Sequence, residues 1–197
     1  AMCVVALFVT GKLGGNWMEW HKKAGYFALG LVLFRVFWGF AGSETARFTQ
    51  FVRGPRAVID YLQGRWSAVP GHNPLGALSV VAMLLALLFQ AASGLFANDD
   101  ILLEGPLYAL VSKETSDFIT KLHQWNSDLI IGLIVLHLAA IVWYTAIKKE
   151  TLIGPMINGG KAAGDHVEPR MARGWTALIW MAVAAAIVWA VVNRLWR

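Results

Sequence analysis

Three histidines stand where an imidazole has work to do. His123 and His137 lie in the run KLHQWNSDLIIGLIVLHLAAIVWY at 121–144, and His21 opens the segment HKKAGY. A polar, ionisable side chain inside so apolar a run is costly and faces the interior of a bundle, where it usually serves a function. Fourteen residues separate His123 from His137. In a helix that is about 21 Å of rise, with the second ring returning to within about 40° of the first. Both imidazoles therefore share one face at two depths. Imidazole ligates metals and relays protons, so the chemistry open to these residues is iron ligation, proton or metal-ion relay, or buried hydrogen bonding alone.

The elements that must position them are set by composition. Of 197 residues, 57% are hydrophobic and 15% charged, outside the range of an ordinary soluble domain. A spanning helix needs about 20 mostly apolar residues. The windows 22–41, 74–97, 118–147 and 174–195 satisfy that requirement, while AMCVVALFVT at 1–10 is too short and reads as the tail of a helix that starts earlier. The expected architecture is all-α: an integral membrane helical bundle with a four-helix core, whose first helix is truncated, and a fifth C-terminal transmembrane helix. Residues 1–150 form the core, 151–173 a cytoplasmic loop and 174–197 the additional helix.

Cys3 is the only cysteine, which excludes a disulfide framework, covalent Cys-x-x-Cys-His haem attachment and a thiolate iron–sulfur cluster. The net charge of +5 comes from short loops between spans, where Lys and Arg report topology and lipid headgroups, so nucleic acid is not an expected partner. Arg47, Arg53, Arg56, Arg65, Lys148, Lys149, Lys161, Arg170 and Arg173 place nine positive charges on one side. The other side carries seven, together with an acidic 98–121 loop, so the positive-inside rule puts the 42–73 loop in the cytoplasm. Tryptophans near the span ends read as interfacial anchors. Pro55 is placed to open a short helix on the inner leaflet, and Asn73 with Pro74 to cap and start the third span.

On this layout His21 begins the second span and His123 the fourth, both at the outer side, so the two can ligate one iron between two helices. His137 lies about 15 Å from the inner end of its span, too deep to pair with His72, which precedes the inner start of the third. Its partner is expected upstream of Ala1. His166, in the polar GDHVEPR loop, reads as a solvated histidine. Arg35, fourteen residues after His21, reaches the level of His137 and could meet a haem propionate or snorkel to the inner headgroups. Gly25, Gly132 and Ser93-Gly94 offer clearance for a flat cofactor, although small residues equally favour plain helix packing.

The segments HKKAGY with Arg35, GHNPLGAL, ASGLFANDD and LHQWNSDLIIGLIVLH make the chain resemble the bacterial cytochrome b561 and nickel-hydrogenase cytochrome b family over residues 1 to about 161. The resemblance implies two non-covalent b-type haems. His21 and His123 match the axial ligands of the outer haem, and His137 the fourth-span ligand of the inner one. The family's first-span ligand, a histidine followed by tryptophan, has no counterpart in the sequence. Also implied are a bacterial inner-membrane, multi-pass location and electron exchange between the quinone pool and a periplasmic c-type cytochrome or hydrogenase, with a quinone as a further cofactor. The rival classes are a haem-free membrane anchor or assembly protein and a histidine-based proton or metal-ion transporter. Intramembrane carboxylates, which relays usually employ, are confined here to loops and span ends apart from Asp128.

Overall fold

The computed structural model describes residues 1–65, 73–101, 103–149 and 170–193, and over these it is helical without a strand. The two ends of the bundle are called outer and inner after the charge assignment above. Helix α1 covers Met2–Leu13 and α2 Trp17–Ala41. Two short helices follow, α3 (Phe48–Phe51) and α4 (Pro55–Leu62). The remaining long helices are α5 (Pro74–Gly94), α6 (Lys113–Ala146) and α7 (Gly174–Val192). Among the described residues α2, α5, α6 and α7 are long and apolar enough to cross a membrane. The expected count of five crossings rests on α1, which at 12 residues is shorter than a crossing requires.

Helix ends extend beyond the apolar windows because helix formation does not stop where hydropathy falls. α2 begins at Trp17, so Glu19, His21 and Lys22 are helical, with Glu19 and Lys22 paired at 3.0 Å. α6 begins at Lys113, where the Ser112 hydroxyl accepts from the Thr115 amide and satisfies one of the free donors of the first turn. α5 starts as expected, with Pro74 in the first turn and the Asn73 side chain accepting from the Gly76 amide at 2.7 Å. It ends at Gly94, short of the window. The chain then folds over the bundle end, where Gly105 sits so close to the Leu95 carbonyl that a Cβ would lie 2.2 Å from it. Pro55 opens α4 as expected. His72 and His166 lie outside the described residues.

α1 turns back on α2 through Gly14 and Gly15, whose φ values of 63° and 52° belong to the left-handed region that glycine enters freely. The closely packed long-helix pairs are α1 with α2, α2 with α5, α5 with α6, and α2 with α7. The C-terminal helix is thus held on the flank of α2, with Phe37 and Trp180 in ring contact at 5.2 Å. α2 and α6 are not among the close pairs.

Few side chains are fully buried. Leu29, Val32, Ala77, Ala86, Ile130 and Ala184 mark the helix contacts, whereas Phe27, Phe40, Leu85, Leu136, Trp143 and Leu178 are exposed around the perimeter. A perimeter of this kind suits lipid and would be a liability in water. Trp17, Trp20, Trp125, Trp143 and Trp175 are all more than half exposed.

Candidate functional site

At the outer end the first turns of α2 and the third turn of α6 bring His21 and His123 together across helices that do not otherwise pack closely. Their ring centroids are 6.3 Å apart and their planes are inclined at 79°. Helices α1 and α5 flank the pair, and each supplies the same two features: an oxygen that orients an imidazole and a glycine that lets the ring approach.

On α1, His21 Nδ1 lies 2.9 Å from the Leu7 carbonyl oxygen and 3.3 Å from Thr10 Oγ1. A carbonyl only accepts, so Nδ1 carries the proton and Nε2 keeps its lone pair. Thr10 spends its own hydroxyl proton on the Ala6 carbonyl at 2.7 Å, which leaves it an acceptor toward the ring as well. Gly11 completes the cradle, since a Cβ there would meet His21 Cε1 and Nδ1 at 3.1 Å.

On α5, Ser93 Oγ lies 3.0 Å from His123 Nδ1 and donates to the Gln90 carbonyl at 3.1 Å. The Gln90 backbone is a hydrogen-bond partner of the His123 ring as well, and a carbonyl only accepts, so Nδ1 carries the proton, the serine oxygen can accept beside it, and His123 also presents an unprotonated Nε2. A Cβ on Gly94 would stand 3.1 Å from His123 Cε1. One turn deeper, the buried Asn126 amide donates to the Ala86 carbonyl at 2.9 Å and to Gln90 Oε1 at 2.7 Å, clamping α6 to α5 directly beneath the site.

Among the described residues the inner level is sparser. His137 lies half-buried on α6, and its Nδ1 is 3.5 Å from Ser79 Oγ of α5, the long limit of a hydrogen bond. The other histidines among the described residues, His21 and His123, form the outer pair, and among the described residues no three or more His, Cys, Asp or Glu side chains are grouped so that they could hold a metal ion. Arg35 makes its contacts with the segment that follows α2. Its Nη1 is 3.5 Å from the Ala46 carbonyl and its guanidinium lies over the Phe48 ring, 5.3 Å from the centroid, which is the snorkelling direction. Below His137 a polar knot closes the inner end: Tyr61 of α4 bonds to Tyr144 of α6 and accepts from Asn73 Nδ2 at 3.1 Å.

The glycines expected to give clearance are distributed differently. Gly25 packs toward α1, with Leu7 Cδ2 4.0 Å from its Cβ position, and Gly132 has open space beside it. Gly132 comes nine residues after His123, about half a turn around α6, so it faces away from the imidazoles. Gly94 was legible as a small residue; Gly11, Thr10 and Ser79 carried no signal that sets them apart from ordinary helix packing.

A family model, prokaryotic cytochrome b561, matches residues 1–159. The chain belongs to the prokaryotic cytochrome b561 family. No curated protein and no solved structure matches it. Membership makes this b561-family chain a membrane protein of a group that binds b-type haem and transfers electrons. The match takes in α1 to α6 and stops before α7.

Proposed function

We propose that the protein carries electrons across a bacterial inner membrane through two b-type haems, the outer one held by His21 and His123 and the inner one by His137. It would link the quinone pool to a periplasmic c-type cytochrome or hydrogenase. The observation that carries the reading is the outer pair. Two imidazoles from different helices converge there, with centroids 6.3 Å apart and each with a ring nitrogen free to bind a metal ion.

The donor chemistry fits as well. Leu7 and Ser93 hold the Nδ1 protons, so both histidines offer a neutral Nε2, the form in which imidazole ligates a metal. A b-type haem held by His21 and His123 would supply one-electron redox chemistry at its iron. The chain's own contribution is therefore to hold, orient and insulate. Thr10 and the Leu7 carbonyl fix the His21 ring, Ser93 fixes the His123 ring, and the Asn126 clamp keeps α6 seated on α5. A second centre about 21 Å further along α6, at His137, extends the path toward the inner face.

The test is a reduced-minus-oxidised visible spectrum of the purified protein with haem quantified per chain. A b-type spectrum with two haems per chain supports the full reading. One haem per chain removes the inner site, and a flat spectrum removes the function.

A further inference from the structure

Helix α5 holds two hydroxyls and no more: in PLGALSVVAMLLALLFQAASG they are Ser79 and Ser93. Each stands beside a different histidine of α6, Ser93 Oγ at 3.0 Å from His123 Nδ1 and Ser79 Oγ at 3.5 Å from His137 Nδ1. The two serines are fourteen residues apart, as are the two histidines, and the helices run antiparallel, so the couples repeat at one spacing of about 21 Å. A serine placed only to satisfy itself bonds a carbonyl of its own preceding turn and needs no imidazole. Ser93 makes that local bond to Gln90 and still stands 3.0 Å from His123 Nδ1, and the two placements are matched in register to the two imidazoles of the facing helix, which local satisfaction alone does not require.

We infer that Ser93 and Ser79 are positioning residues, each tuning the iron of its own centre through the α6 histidine it faces. The inference rests on the haem reading above. An acceptor on Nδ1–H raises the basicity of the ligating imidazole, and a more basic ligand stabilises the ferric state and lowers the reduction potential. The two ends are not equivalent. Ser93 has its proton committed to the Gln90 carbonyl and stands close, whereas Ser79 stands farther from its ring. The outer centre therefore takes the larger tuning from α5.

Potentiometric titration of the visible spectrum separates the two effects. Ser93→Ala raises the midpoint of the centre that His123→Ala abolishes and leaves the other unchanged. Ser79→Ala raises the midpoint of the centre that His137→Ala abolishes, by a smaller shift. Ser93→Thr and Ser79→Thr, which keep the hydroxyl, restore the native midpoints.

Unchanged midpoints in both alanine variants at native haem content overturn the inference while leaving the haems in place. So does loss of haem in alanine and threonine variants alike, which would mark a purely structural role. Failure of the underlying reading shows separately, as native protein without haem or as His123→Ala that keeps both centres.

Discussion

The outer and inner ends of the bundle carry the same kind of residue with unequal support. At the outer end two histidines from α2 and α6 face one another at 6.3 Å, each with an oxygen on Nδ1 and a glycine against the ring. At the inner end, among the described residues, His137 contacts Ser79 at 3.5 Å, and Arg35 meets the Ala46 carbonyl and the Phe48 ring. The difference teaches that a ligand site is built by its neighbours. An imidazole is prepared for a metal when another helix holds its second nitrogen and leaves room for the ring, and the outer end has both arrangements twice over.

Filling the room breaks the comparison most severely. Gly94→Leu pushes carbon into the space where a Cβ alone would stand 3.1 Å from His123, and Gly11→Leu does the same to His21. Both should abolish the outer haem and spare the inner one, as read by the spectrum and haem content. Gly132→Leu, in open space on the opposite side of α6, should keep both haems. Loss of haem there would show that the far face of α6 is part of a site.

Asn126→Ala strikes between the two ends. It removes two hydrogen bonds from α5 and leaves the Gln90 side-chain oxygen without this donor, a cost of about 1–3 kcal/mol. The melting temperature should fall, with the outer haem lost more readily than the inner, because the clamp lies one turn from His123. Equal loss at both ends would contradict the local role given to it.

Asn73→Ala acts at the inner end alone. It deletes the cap of α5 and the bond to Tyr61, and a lost N-cap costs about 1 kcal/mol. Thermal stability should drop modestly while the outer spectrum stays native. Smallest of all is Lys113→Ala at the outer surface. Lys113 bridges Asp100 and Asp117, but the side chains are exposed and such pairs add little. No measurable change in melting temperature or spectrum is expected, and a lost haem would place that loop within the site.

Legibility in the sequence follows the same division. Hydropathy located α5, α6 and α7 to within a few residues and missed only polar first turns and the early end of α5, because capping and helix propensity operate outside the apolar window. Spacing and charge placed His21 opposite His123, since depth along a span can be counted. What sequence does not display is the second nitrogen's partner. The Leu7 oxygen is a backbone atom with no side-chain signature, and Thr10, Ser79 and Gly11 are the small residues that any membrane helix contact favours. The position of Arg35 alone does not choose between a propionate and the inner headgroups, and its contacts with Ala46 and Phe48 come from a loop whose path only the fold reveals.

The central claim is that His21 and His123 share one haem. The most direct measurement is haem per chain in His21→Ala, His123→Ala and the double variant, beside native protein. Each single change should remove the same haem, with the same bands missing from the reduced-minus-oxidised spectrum, and the double variant should lose nothing more. If the two losses add, or if either single variant keeps its full haem content, the two histidines do not hold one iron.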